Sequence, residues 1–320
     1  MKKLLRCLAL TAATLVPLAS AAQAYPTRPV RLVVPFPPGG ATDIIGRLVA
    51  AKMQEVWGQP VVVENKPGAG TVVGTDYVAK SAPDGHTLGM VVTAFVINPS
   101  LRKDLPYDTL KDLAPVTHVS VQHLVMAAHP SLAANNIAEL IALAKKDPGK
   151  LAYATPGSGT AMHLSVELLK TTAGIDLVHV PYKGGTPAQQ DVVAGHVPIL
   201  MDVLYAVTPL IKSGKIKVLA LLSPRRAPES PEYPAVAETV PGVSALSIVG
   251  IVAPRATPRE LVHRISADVA RAVKSSDLTE RMKQQGMEPV GSTPEQFDAL
   301  IRSEIEKWAK VVKLSGAKVD

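Results

Sequence analysis

Three short glycine-rich segments, each between an apolar strand and a helix, constrain the fold of this chain more than any other feature. They read PFPPGGATD at Pro35–Asp43, PGSGT at Pro156–Thr160 and PYKGGTP at Pro181–Pro187. The apolar runs that precede them, which predict buried strands, are Val30–Val34, Leu151–Thr155 and Asp176–Val180. Glycine permits a tight turn, and an open helix N-terminus offers N–H donors and partial positive charge to an anion. A capped strand-to-helix turn explains each segment singly, but their recurrence predicts a cleft where three helix N-termini converge on an acidic ligand.

The first 24 residues predict a cleavable secretory signal peptide. Lys2, Lys3 and Arg6 precede the apolar run Leu8–Leu18, and Ala22-Gln23-Ala24 forms a small-residue cleavage site. The chain has a single cysteine, which lies within this segment, so the mature protein from Tyr25 onward has no disulfide. We therefore predict export to the periplasm.

The rest of the chain alternates apolar strands with amphipathic helices, which predicts an α/β fold. The first three strands, Val30–Val34, Val61–Val63 and Leu88–Val92, predict a parallel sheet. Its length is typical of about two domains. The apolar strands Val125–Ala128 and Val249–Ala253 are each followed by proline at the first or second residue beyond, and they predict two crossings between lobes. We expect residues 25–122 plus 251–320 to form one lobe and residues 123–250 the other. Residues 98–115 are predicted to be irregular.

Composition and motif spacing exclude several classes of function. Acidic and basic residues are interspersed and aromatic residues make up 4% of the chain, which argues against nucleic-acid binding. Gly68, Gly70 and Gly74 miss the dinucleotide spacing, and the eight histidines lack metal-ligand spacing. Ser158 has no nucleophile elbow around it. We predict no cofactor, no metal and no catalysis.

Two charged residues remain open to two interpretations each. Asp202 ends an apolar run, where a carboxylate either faces the ligand or caps a neighbouring element. Lys183 lies in the third glycine-rich segment, where it either contacts a ligand carboxylate or is simply solvated.

A set of motifs along the mature chain resembles the Bug (TctC-like) solute-binding receptors of tripartite tricarboxylate transporters. The N-terminal matches are RPV at Arg28–Val30, PFPPGGATD at Pro35–Asp43, WGQPVVVEN at Trp57–Asn65 and AKSAPDGHTL at Ala79–Leu88. Later matches are LPYD at Leu105–Asp108, HVPYKG at His179–Gly184, GMEP at Gly286–Pro289 and WAKVV at Trp308–Val312. The sequence departs from the family pattern at Thr93–Ile97 and Ser247–Gly250.

This resemblance implies a two-lobed type II periplasmic-binding-protein fold with the ligand cleft between the lobes. It implies that one small organic carboxylate is held largely by backbone N–H groups, so it predicts a class of ligand rather than one acid. The predicted ligand-binding residues are Phe36, Gly40, Ala41, Thr42, Asp43, Thr93, Thr155, Gly157, Ser158, Gly159, Thr160, His163, Lys183, Gly184, Gly185, Thr186 and Asp202.

The predicted function is an extracytoplasmic receptor, a monomer, that delivers its ligand to the large and small membrane permease subunits of a tripartite transporter. A receptor that feeds a two-component signalling system would have the same sequence features. An exported hydrolase is the third class, and it would need a nucleophile with a base in reach, which the sequence does not display.

Overall fold

The computed structural model describes residues 25–228, 230–284 and 286–317. The predicted signal peptide at 1–24 lies outside this part of the chain. The strands are β1 (Val30–Val34), β2 (Val61–Asn65), β3 (Thr87–Val92), β4 (Leu113–Ala128), β5 (Ala152–Thr155), β6 (Val178–Pro181), β7 (Ile199–Val203), β8 (Lys217–Leu221), β9 (Leu246–Pro254) and β10 (Met287–Pro289).

The helices pack on both faces of these strands. They are α1 (Ala41–Trp57), α2 (Val72–Ala79), α3 (Ala94–Leu101), α4 (Ile137–Lys146), α5 (Ala161–Ala173), α6 (Gly185–Val193), α7 (Leu204–Lys212), α8 (Val236–Thr239), α9 (Arg259–Val273), α10 (Ser276–Gln284) and α11 (Pro294–Ser315). No helix of the described ranges is both long and apolar enough to span a bilayer.

Strand β4 belongs to two sheets and joins them. Its residues 113–123 pair antiparallel with β9, which continues the sheet through β3 and β1 to β2. Its residues 124–128 pair antiparallel with β7, and the sheet continues from β7 through β5 to β6. Strand β8 pairs antiparallel with the other edge of the same part of β4. The parallel order predicted for β1, β2 and β3 is confirmed. Strand β5 also runs parallel to β6, whereas β9 is antiparallel to β3.

Strand β4 passes from one sheet to the other between His123 and Leu124, and this point is called the crossing here. The strand directions place the three glycine-rich turns at the ends of the strands nearest the crossing. Val92 at the carboxyl end of β3 is level with Val249, which pairs with Ser120 of β4, close to the change of sheet. Val203 at the carboxyl end of β7 pairs with Leu124, on the other side of the change. Because β1 runs parallel to β3, and β5 and β6 run parallel to β7, the turns that follow them approach the crossing from opposite sides.

The predicted lobe boundaries, between residues 122 and 123 and between residues 250 and 251, stay a prediction. Pairing in the first sheet continues on β9 back to Leu246, which lies opposite His123. The buried core also continues past the crossing, because α11 lies against both α3 and α5, and Trp308 on α11 is fully buried.

The prediction that residues 98–115 are irregular is wrong in two places. Helix α3 runs to Leu101 with Pro99 inside it, and β4 already begins at Leu113. Phe95, Val96 and Ile97 are at most 2% exposed, so burial of these side chains outweighs the hydrogen bond that proline removes. Helix α7, which also contains a proline at Pro209, was not predicted at all.

Candidate functional site

The first turn, residues 35–40 between β1 and α1, is closed by a carboxylate of its own helix. The Gly39 N–H donates to Asp43 Oδ2 at 2.9 Å, and Arg47 donates to the two Asp43 oxygens at 2.8 and 3.0 Å. Asn65 Nδ2 donates to Asp43 Oδ1 and to the Phe36 carbonyl. Burial disfavours the charged form of Asp43, but the hydrogen bonds from Arg47, Gly39 and Asn65 outweigh it and hold its pKa at about 2.

The second turn, residues 156–160 between β5 and α5, is closed in the same way by a neutral group. The Gly159 N–H donates to His163 Nδ1 at 3.1 Å, again four residues along the chain. Thr160 caps α5, since its hydroxyl accepts from the His163 N–H at 3.2 Å and donates to the Gly157 carbonyl at 2.8 Å. The helix contributes no acceptor for the N–H groups of Ala161 and Met162, because its ladder begins with Leu164 N–H to Thr160 O.

A buried polar network lies beneath the second turn. Thr155 Oγ1 accepts from the Gly157 N–H and lies 2.7 Å from His179 Nε2. The His179 ring stacks on His163 with centroids 4.0 Å apart, and Tyr153 stacks on His179 at 5.0 Å. Burial, followed by the nearby His163, lowers the pKa of His179 to about 3, and burial also lowers the pKa of His163. These imidazoles are therefore neutral near pH 7.

The third turn, residues 182–184 between β6 and α6, is attached to the second. The Tyr182 N–H donates to Thr155 O at 3.0 Å and the Gly184 N–H to Pro156 O at 2.9 Å. Helix α6 begins at Gly185. Lys183 and Thr186 are exposed, and so is Ser158 at the tip of the second turn.

A buried carboxylate lies directly behind the third turn. Asp202 on β7 is 3% exposed, and its Oδ2 accepts from Gln189 Nε2 of α6 at 2.8 Å. A Cβ added to Gly185 would lie 2.9 Å from the same oxygen. Burial raises the pKa of Asp202 to about 6, and the hydrogen bonds from Gln189 and the Val203 N–H only partly oppose this shift. The N-terminus of α6 therefore has an internal carboxylate beside it.

The structure groups the predicted residues unequally. The second and third turns, with Asp202, form one contiguous patch, whereas the first turn lies in the other sheet. No hydrogen bond or ion pair among the described residues joins the first turn to the other two. Thr42 and Thr93 are buried, and the Thr93 hydroxyl accepts from the Ile248 N–H of β9 at 2.9 Å.

Several residues of the site were not predicted from the sequence. They are Arg47, Asn65, Tyr153, Glu167, His179 and Gln189. The spacing of Asp43 and Arg47, four residues apart on a helix, was an available signal for the first. Asn65 and His179 lie inside motifs that carry the resemblance, but their partners come from distant parts of the chain.

Two surface cavities lie away from the three turns. One is lined by Arg102, Tyr107 and Ile305, and another by Arg31, Tyr77 and Lys80. Across residues 25–228, 230–284 and 286–317 no group of three or more His, Cys, Asp or Glu side chains could hold a metal ion.

Comparisons with known proteins bear on the family and the fold of this chain. A family model described as the tripartite tricarboxylate transporter family receptor, TctC, matches residues 45–317. The structure of R. palustris Rpa4515 with adipate superposes with a TM-score of 0.85 at 35% identity, covering 92% of this chain and 100% of that one.

Two further structures are similar over most of their lengths. The periplasmic binding protein BugD has a TM-score of 0.82 at 34% identity, covering 92% of this chain and 99% of its own. MatC from Rhodopseudomonas palustris with bound malate has a TM-score of 0.80 at 32% identity, covering 90% and 100%. These likenesses confirm the predicted two-lobed periplasmic-binding-protein fold.

Proposed function

The chain belongs to the family of tripartite tricarboxylate transporter receptors, and we propose that it captures a small organic carboxylate in the periplasm and delivers it to a membrane permease. The family and fold are those of binding receptors. Two similar proteins are described with adipate and with malate bound, which supports a carboxylate as the ligand class. The predicted signal peptide supports periplasmic export.

One observation about the three turns carries the assignment of the ligand position. Asp43 lies in the first turn of α1, and Asp202 lies beside the first turn of α6. The first turn of α5 contains no acidic residue, and the group that closes its loop is the neutral imidazole of His163. The positive end of the α5 dipole is therefore the least compensated of the three, and we place a ligand carboxylate there.

The nearest acid on α5 does not change this assignment. Glu167 Oε1 accepts from Lys170 Nζ at 2.9 Å and from the Tyr153 hydroxyl at 2.7 Å, so its charge is matched inside the lobe. In this proposal the N–H groups of Ala161 and Met162 donate to the ligand. The exposed Ser158 and Lys183 border the entrance, and the first turn with Gly40 and Ala41 forms the opposite wall.

Calorimetry on the mature protein tests the proposal. Adipate and malate are titrated at pH 7.5, and adipamide, which has the length of adipate without its charge, is the control. We expect at least one of the acids to bind and adipamide to bind more than tenfold more weakly. A thermal-shift screen over mono-, di- and tricarboxylates in which no acid raises the melting temperature would overturn the proposal.

Delivery to a permease is tested separately. Deletion of the gene should abolish uptake of the bound acid by cells, and expression from a plasmid should restore it. Normal uptake together with a lost transcriptional response to the acid would instead identify the receptor as the sensor of a two-component system.

A further inference from the structure

The hydrogen bond between Gly159 and His163 defines the state of the imidazole. A backbone N–H can only donate, so His163 Nδ1, 3.1 Å from the Gly159 nitrogen, must be the ring nitrogen that carries no proton. The ring proton is therefore on Nε2 and the imidazole is neutral. This bond closes the second turn, in which Gly159 has a φ of 76°.

The charged and titratable groups around His163 come from α5, β5, β6 and the loop before β6. On α5, Glu167 Oε1 lies 3.9 Å from His163 Nε2, which is too long for a hydrogen bond, and Lys170 pairs with that carboxylate. On β6, His179 stacks against the ring, and Tyr153 of β5 stacks on His179. Asp176, in the loop before β6, lies 3.9 Å from Lys170 Nζ.

We propose that His163 is the positioning residue of the ligand site: its neutral imidazole holds the second turn so that the Ala161 and Met162 N–H groups stay open, and its protonation releases the turn. The effect on ligand binding rests on the proposed function, whereas the effect of His163 on the conformation of the turn does not. A protonated Nδ1 is a donor that faces the Gly159 donor, and the added positive charge lies at the positive end of α5.

The direction of the pH effect follows from burial. Burial lowers the pKa of His163 below its ordinary value of 6.5, so the open turn binds a proton more readily than the closed turn. The closed turn is therefore fully stable above pH 6.5 and becomes less stable as the pH falls below that value. The Gly39 N–H gives an internal control, because its acceptor Asp43 has a pKa of about 2.

NMR on the ligand-free mature protein tests this inference first. A long-range ¹H–¹⁵N spectrum at pH 7.5 should show His163 with the proton on Nε2. The hydrogen-exchange protection of the Gly159 amide, corrected for intrinsic rates, should fall by up to tenfold per pH unit below pH 6.5, while that of Gly39 stays constant down to pH 4.5. A proton on Nδ1, or a parallel loss of protection at both glycines, would overturn the proposal.

Two substitutions separate hydrogen bonding from packing. His163→Leu removes the acceptor and should lower Gly159 protection about fivefold at pH 7.5. His163→Gln supplies an acceptor that does not titrate, so it should restore protection and abolish its dependence on pH. A Gln variant that keeps the pH dependence of the wild type would contradict the assignment.

Binding gives the last readout. The affinity for adipate and malate should fall between pH 7.5 and 5.5 in the wild type relative to His163→Gln, because the titration of each acid and of Asp202 is common to both proteins. If neither acid binds to the wild type, the ligand class of the proposed function loses its support, and the NMR result still decides the role of His163.

Discussion

The first and second turns share one geometry and differ in charge. In each, a glycine N–H donates to a side chain four residues further along, Asp43 Oδ2 in one turn and His163 Nδ1 in the other. The carboxylate compensates the positive end of α1 and is itself paired with Arg47, whereas the imidazole leaves the positive end of α5 available. Two turns with the same backbone hydrogen bond therefore present different charges at the start of their helices.

Matched glycine substitutions give the largest expected effect on this comparison. Gly159 and Gly39 both have a positive φ, 76° and 83°, so valine strains the backbone at either position. We expect Gly159→Val to weaken binding of adipate or malate more than tenfold and Gly39→Val to weaken it less than threefold. Equal losses by calorimetry would mean that the two turns contribute alike.

Replacement of the charged acceptor should affect stability rather than binding. Asp43→Asn removes the charge that pairs with Arg47, and because Arg47 is half exposed we expect a loss of only about 1 kcal/mol in the free energy of unfolding. Since the pKa of Asp43 is lowered to about 2, this contribution is present above about pH 4 and is lost only as the pH falls towards 2.

Urea denaturation at pH 5 and pH 8 checks this expectation. The difference between Asp43→Asn and the wild type should be the same at both values. A difference that shrinks at pH 5, or an affinity for the ligand that drops more than twofold, would contradict the structural role of this carboxylate.

The third turn sharpens the comparison because its carboxylate titrates within an accessible range. The pKa of Asp202 is raised to about 6, so this group is charged at pH 7.5 and largely neutral at pH 5. Asp202→Asn should strengthen dicarboxylate binding about threefold at pH 7.5 and leave it unchanged at pH 5. Asp191→Asn, which changes a surface carboxylate on α6, is the control and should have no effect at either pH.

The smallest effect is expected at the helix cap. Thr160→Ala removes the cap of α5, which costs about 1 kcal/mol of stability, but the proposed ligand donors are backbone groups, so affinity should fall less than threefold. Thr293→Ala removes the equivalent cap of α11 and should cost similar stability with no change in affinity. Abolished binding in Thr160→Ala would show that the hydroxyl itself contacts the ligand.

Local signals predicted most of the regular elements. The apolar spacing of residues 137–146 and the Asp147-Pro148-Gly149 that follows predict a helix there, and α4 has these bounds, Ile137–Lys146, with Asn136 as its cap. Helices α3 and α7 were missed because each contains a proline, and the burial that overrides this signal depends on tertiary packing. The pairing of β4 with β9, about 130 residues later, also depends on contacts that sequence periodicity does not encode.

The sequence predicted the three turns of the candidate site but not the charged groups beside each of them. The glycines identified all three turns, since their conformations are set locally. Whether a helix N-terminus already has a carboxylate beside it depends on Asp43, held by Arg47 and Asn65, and on Asp202 beside Gly185. Of these contacts, only that of Arg47 with Asp43 is between residues close in the chain. Sequence reasoning therefore gave three equivalent donors, whereas the structure distinguishes them.

The shared strand β4 imposes an order on how the protein acquires its structure. A chain that emerges amino end first presents β1 to β3 and β4 long before β9, which must insert between β3 and β4 to complete their sheet. Residues 124–245, by contrast, contain all partners of the second sheet in one continuous stretch. The second sheet can therefore form first, and the edges of β3 and β4 stay open to mispairing until the last quarter of the chain arrives.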